Sequence, residues 1–270
     1  MAGRWKPCST PSAGPALEMK SPTSADRLNA RLRPKGFPVM RQRWSGLLFL
    51  HWPISPELIQ ATLPPGLHVD TFNGQAWIGV VPFFMDRVRP SLLPPVPGLS
   101  WFRELNVRTY VHDDRGVPGV WFHSLDCDQP LAVEIARRFF HLPYEHAQMN
   151  IARSGGQIDY RCERDGIANN PAHFIYETPS STMEATEGTL EWFLVERYVL
   201  FSANGSGNLC EGRVHHHPYR IAPVECPKWS SAPIGWNGLE MPSGPPVSIL
   251  GAEPVDVEVF PLRTIWKKSG

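Results

Sequence analysis

LNVRTYVHDDRGVPGVWFHSL, residues 105–125, reads as two β-strands joined by a turn. Asp113 to Gly116 supply turn chemistry: short Asp side chains hydrogen-bond their own backbone, and glycine accepts conformations closed to other residues. The flanking runs are rich in Val, Thr, Tyr, Phe and Trp, which suit a pleated, half-buried surface. Because side chains alternate along a strand, Glu104, Asn106 and Arg108 converge on one side of the first run. Such a row is either a solvated or ion-paired strand face, or a set of groups aimed at a ligand.

Working outward, residues 44–52 and 77–84 are further apolar strand candidates, with Pro82 suggesting an edge or bulge. Between them, SPELIQATLPPG (55–66) is a short helix: Ser55 caps it, Pro56 takes its first position and Pro64 and Pro65 stop it. RPSLLPPVPG (89–98) is a rigid lid beside a pocket or a surface crossover. LAVEIARRFF (131–140) is the best helix; Ala132, Ile135, Ala136 and Phe139 share a face, Glu134 and Arg138 pair, and Asp128 caps. Strands are expected at 146–152, 157–162, 173–177, 198–203, 210–216 and 255–260, and a short helix at 190–196. The fold class is therefore α+β, mainly β, in a single domain spanning residues 39–270. Residues 1–38 lack apolar periodicity and read as a disordered tail.

Composition narrows the function classes. Lys+Arg and Asp+Glu balance at 26 each, so the concentrated positive charge of a nucleic-acid protein is absent. The 29 Pro and 22 Gly argue against a helical bundle, and the 10 Trp and 13 Phe suit a core or an apolar pocket. Five cysteines, an odd number without a Cys-x-x-Cys pair, favour a reducing compartment. No apolar run reaches the roughly 20 residues that cross a bilayer, so no membrane partner and a cytoplasmic location are expected. The chain has no phosphate-cradling Gly-rich loop or dinucleotide fingerprint, and no cofactor is expected.

HWPISPELIQATLPPGLHVDTFNGQAWIGVVPF (51–83), FRELNVRTYV (102–111), GVWFHSLD (119–126), ARRFFHLPY (136–144), FLVERYVLF (193–201) and GRVHHHPY (212–219) occur in an order that resembles the YqjF-like family of uncharacterised bacterial proteins. That family is similar in fold to acetoacetate decarboxylase, which implies an antiparallel β-barrel with short flanking helices and a central cavity. The decarboxylase forms a Schiff base through a lysine amine with a depressed pKa. The segment that resembles its lysine motif is here Leu142, Pro143, Tyr144 and Glu145. The six lysines (Lys6, Lys20, Lys35, Lys228, Lys267 and Lys268) lie near the termini or in a Pro/Ser-rich loop, so amine chemistry is disfavoured.

The catalytic candidates are Glu104, Tyr144 and Glu145, with carboxylates to move protons and a hydroxyl to orient a carbonyl. Glu104 also resembles an acidic active-site residue of the decarboxylase by its place in the motif. Candidate ligand-binding residues are Asn106, Arg108, His141, His146, Arg197, Arg213 and His215. Two imidazoles near Arg213 could serve a metal, but the His-Glu-x-x-His signature is missing and no metal site is expected. The expected function is a small-molecule pocket protein acting on a carbonyl or carboxylate compound without Schiff-base lysine chemistry. The alternatives are a noncatalytic ligand-binding or regulatory protein and a structural role using exposed aromatics. The expected partner is a small organic molecule, anionic if Arg108 binds it. Homo-oligomerisation stays open.

Overall fold

The structure, a computed structural model, describes residues 20–267. In chain order the elements are α1 (Ser24–Arg31), β1 (Met40–Ser45), β2 (Leu47–Ile54), α2 (Pro56–Gln60), β3 (Leu67–Val69), β4 (Ala76–Pro90), β5 (Phe102–Asp113) and β6 (Pro118–Cys127). There follow α3 (Pro130–Phe140), β7 (Tyr144–Ser154), β8 (Gln157–Arg164), β9 (Ala172–Glu177), β10 (Met183–Glu184), α4 (Leu190–Val195), β11 (Val199–Ala203) and β12 (Leu209–His215). The last are β13 (Arg220–Pro223), α5 (Ala232–Trp236), β14 (Ser248–Ala252), β15 (Val255–Val259) and β16 (Arg263–Trp266). The fold is mainly β with short helices, as the turn-rich sequence requires.

β5 and β6 form the expected hairpin, paired from Glu104↔Cys127 to His112↔Pro118 with a one-residue shift between Val107 and Arg108 that leaves His123 as the extra residue of β6. Asp113 closes its turn by accepting from the backbone N–H groups of Arg115 and Val117, each at 3.0 Å. Ladders run from β4 through β5, β6, β11, β12, β15 and β1 back to β4. β7, β8 and β9 form an antiparallel meander over the outer face of β2, β4 and β5. Leu48, Leu50, Val80, Leu105 and Val107 bury against its Tyr160 and Phe174. The alternate positions Phe49, Val81, Phe83, Glu104 and Arg108 face a central cavity. Strand β5 thus turns its apolar side outward and its polar side inward, the reverse of a surface strand. Full burial of each outward Leu or Val contributes about 1.5–3 kcal/mol toward that arrangement.

Gly46, at φ 57°, divides the strand expected over 44–52 into β1 and β2. The same break accommodates Pro82. On one side Pro82 pairs with Leu105, and on the other the register of β4 passes from Leu50↔Val80 to Ser45↔Phe84. The missing N–H of Pro82 therefore falls where β2 gives way to β1. At α3, Gln129 rather than Asp128 caps the helix, since Asp128 is held by the backbone and guanidinium of Arg103 at 2.8 Å each. Arg137 rather than Arg138 approaches Glu134, and Phe139 points to solvent.

The reading of residues 1–38 as a disordered tail needs correction from residue 24 onward; residues 1–19 lie outside the described residues. Thr23 and Asp26 form a capping box at the start of α1. Arg27 is buried and makes a two-pronged ion pair with Asp70 at 2.8 and 2.9 Å. Arg31 pairs with Glu196 at 2.8 Å. A weakly apolar segment is here held by buried charge pairs, which a search for apolar periodicity does not detect.

Asp70 also binds Arg197 at 2.7 Å. Asp70→Asn strands two buried guanidiniums and is expected to cost roughly 3–5 kcal/mol in urea unfolding. At Gly119, beside the parallel β6–β11 pairing, an added Cβ meets the Val199 carbonyl oxygen and Phe201 at 2.7 Å. Gly119→Ala should lower stability by about 1–3 kcal/mol in the same measurement, because backbone cannot move aside as a side-chain tip can.

Candidate functional site

The central cavity has a volume of about 530 Å³ and is lined mainly by apolar side chains of β1, β2, β4, β5, β6 and α3. Such a volume takes a small organic molecule. The inward alternation of β5 places Glu104, Asn106 and Arg108 on the wall, joined by Tyr144 from β7 and Arg197 from the α4–β11 junction. The fold thus brings together five of the ten expected residues.

Glu104 is fully buried, and Tyr144 donates its hydroxyl to Oε2 at 2.6 Å. Burial pushes the Glu104 carboxyl up to about 7, against the lowering effect of hydrogen bonds from Tyr144 and Asn106, with Asp126 adding to the rise. Tyr144 is itself held well above the ordinary phenol range by burial and by Glu104. It therefore acts as a donor. Asn106 keeps a buried Oδ1 without a hydrogen-bond partner.

A cationic end lies further along β5. Arg108 is buried, faces the cavity and has no carboxylate partner among the described residues. Its guanidinium lies over the rings of Phe49 and Tyr110 at 5.3 and 5.6 Å. Nη2 is 3.4 Å from the Leu194 carbonyl oxygen and 3.5 Å from the Tyr110 hydroxyl, and Nε is unpartnered. The Tyr110 oxygen accepts from Arg108 and is 2.7 Å from His51 Nε2. Burial, then the Arg108 charge, hold His51 well below the usual imidazole range, so it stays neutral. Arg197 lies over the Tyr110 ring at 4.9 Å and leaves Nη2 unpartnered. Burial and Arg27 bring its guanidinium down to about 10, opposed by Asp70, so it remains charged near neutrality. Burial alone would raise Asp70, but Arg197 and Arg27 hold it below the usual carboxylate range. Arg27 and Arg197 thus share one carboxylate, and Arg108 has none among the described residues.

The other expected residues lie elsewhere. Glu145 alternates away from Tyr144 and pairs with Arg137 at 2.8 Å. His141 ends α3 in the left-handed conformation, φ 51°, and does not line the cavity. His146 pairs with Asp165 at 2.8 Å and does not line the cavity. Arg213 and His215 approach the carbonyl oxygens of Ala30 and Arg31 at 2.9 and 3.3 Å, so they satisfy the C-terminal end of α1 instead of a ligand. Their inward neighbour His216 is buried against Tyr198 and Tyr219. Arg27, Asp70, His51 and Tyr110 were not among the expected residues. The capping pattern Thr23…Asp26 was the one local signal for the helix that carries Arg27. Among the described lysines, Lys20, Lys35, Lys228 and Lys267 are exposed and none lines the cavity. Cys127 is buried and its thiol is pushed far up by burial, so it is a poor nucleophile. Among the described residues no group of three His, Cys, Asp or Glu could hold a metal ion, and no helix is long and apolar enough to cross a membrane.

Comparison with known proteins agrees with this architecture. An acetoacetate decarboxylase-like enzyme from Sphingomonas wittichii RW1 superposes with a TM-score of 0.59 at 12% identity, covering 86% of this chain and 95% of that one. The enduracididine biosynthesis enzyme MppR, solved in complex with pyruvate, gives a TM-score of 0.59 at 13% identity over 88% and 93% of the two chains. At these identities the likeness is one of fold. YqjF of Bacillus subtilis (strain 168), an uncharacterized protein, is 38% identical over 230 residues, 85% of this chain and 94% of that protein. The family model DUF2071, described as an uncharacterized conserved protein, matches residues 41–256. With that match over most of its length, the chain belongs to the DUF2071 family, of which YqjF is a relative, on an acetoacetate decarboxylase-like fold.

Proposed function

We propose that the protein binds a small organic anion in the central cavity and moves a proton on a carbonyl-bearing ligand without a lysine amine. The circuit of ladders from β4 through β5, β6, β11, β12, β15 and β1 supports reading the shell as a closed barrel around that ligand. The observation that carries the proposal is Arg108. A buried guanidinium without a carboxylate is costly, and an anion with matching acceptors compensates it. The unpartnered N–H groups of Arg108 and Arg197 offer that anion two cationic donors.

Glu104 is the acid–base group in this reading. With its carboxyl near 7, both protonation states are populated at neutral pH, the condition under which one group accepts and returns a proton efficiently. Tyr144 positions the carboxylate, and the free Oδ1 of Asn106 can accept from a ligand hydroxyl. The commitment of the Tyr144 hydroxyl to Glu104 favours a second reading, a noncatalytic binding protein. Product formation separates the two.

Thermal-shift titration with organic acids tests binding. Arg108→Met should weaken binding at least tenfold, yet leave the ligand-free protein as stable as before or more so, since it removes an uncompensated buried charge. A large loss of stability would instead make Arg108 a structural residue. The pH dependence has a definite sign. Glu104 has a folded pKa raised from 4.5 to about 7, so its contribution is fully present below about pH 4.5 and is lost as pH rises through about 7. Wild type should therefore lose roughly 3 kcal/mol relative to Glu104→Gln between those limits, as read by urea unfolding across pH. Tyr144→Phe removes a hydrogen bond that lowers the Glu104 pKa, and should move the Glu104 titration, followed by carboxyl NMR, to higher pH.

A further inference from the structure

The polar groups of the cavity are arranged along an axis. Glu104 and Arg108 are four residues apart on β5, so their Cα atoms stand about 13 Å apart at ~3.3 Å per residue. The Arg108 guanidinium extends toward Tyr110 and Leu194, the side farther from Glu104. On the near side of Glu104 the wall continues through Phe102 to the loop 91–101 and α3. Leu93, Val96, Leu99, Leu131 and Ile135 line the cavity there and are also exposed, at 58% for Leu93 and 49% for Leu131. Just outside this rim Leu92 and Phe139 are exposed as well. The cavity thus has a cationic end at Arg108, one hydrogen-bonded pair, Glu104 and Tyr144, partway along a mainly apolar shaft, and a mouth dominated by apolar side chains with Arg89 and Gln129 among them.

A short keto acid held by Arg108 would leave most of this shaft empty. From these positions we infer that the ligand is an amphiphilic monocarboxylate: its head lies against Arg108 and Arg197, its apolar body runs past Glu104 and Tyr144, and its tail ends among Leu93, Leu131 and Ile135. This inference rests on the anion-binding reading above and adds the class of ligand. It also gives the exposed leucines of the proline-rich loop a role: they continue the apolar path to the surface, where an amphiphile enters tail-last.

Isothermal titration of the full-length protein with butanoate, octanoate, dodecanoate and hexadecanoate, each below its micellar concentration, tests the inference, with pyruvate and dodecanol as controls. Affinity should rise with chain length by up to about fourfold per added methylene and then level off once the tail reaches the mouth. Dodecanol should bind more weakly than dodecanoate, and Arg108→Met should remove that difference. Leu93→Ser combined with Leu131→Ser, both at exposed positions, should weaken hexadecanoate about tenfold and leave butanoate unchanged, with unaltered urea unfolding as the control for folding. If pyruvate or butanoate binds as tightly as dodecanoate and still depends on Arg108, the amphiphile is excluded while the anion reading survives. If no acid binds, or all bind Arg108→Met as well as wild type, both fail.

Discussion

The shortage of buried negative charge around Asp70 is the constraint on which the interior depends. Two other buried carboxylates each have an arginine partner, Asp126 with Arg164 and Glu196 with Arg31. Asp70 instead serves Arg27 and Arg197 together, and Arg108 stands near them with only the Tyr110 hydroxyl and a carbonyl oxygen. Guanidinium is the side-chain cation that a protein does not discharge by giving up a proton. The fold therefore holds an excess of positive charge at one end of an apolar cavity. Aromatic faces soften the cost: Phe49, Tyr110 and Phe193 lie against Arg108 and Arg197.

The shell tolerates this interior because β4 and β5 are buried on both faces. Their outward side chains pack under the β7–β9 meander. Apolar burial on that side secures the strands, so the inward side is free to carry Glu104, Asn106 and Arg108. The break at Gly46 and the proline at position 82 occur at the same level of the sheet, and each makes the other acceptable. The N-terminal helix then closes the cationic end by bringing Arg27 to Asp70, and the β12 side chains Arg213 and His215 secure its last carbonyl groups.

The likeness to acetoacetate decarboxylase-like structures is one of scaffold, and chemistry resides in the groups that line the cavity. No described lysine lines it. Tyr144 lies in the cavity wall and donates to a carboxyl whose proton affinity burial has raised to the neutral range. A nucleophilic amine and a buried carboxyl near 7 suit different reactions, the first forming covalent imines and the second exchanging protons.

Much of the secondary structure was legible locally, because turn residues, prolines and β-branched runs act over a few positions. The 105–125 hairpin, the helix over 131–140 and the sharing of one face by Glu104, Asn106 and Arg108 followed from turn chemistry, helical periodicity and strand alternation; that this face points inward did not. Pairing across long separations was not legible: His215 and Glu145 looked equivalent to cavity residues until the strand register turned them outward toward α1 and Arg137. Nor could the sequence reveal that residues 24–31 dock, since their anchors Asp70, Glu196 and Arg213 lie about 40 to 180 positions away. Sequence by itself determined most of the longer strands and which of their side chains share a face, because those depend on local sterics and a two-residue period, whereas the short β3, β10, β13, β14 and β16 carry no such signal. Only the tertiary structure decided which face encloses the cavity and which charges go unmatched, because burial and charge pairing are properties of the closed chain.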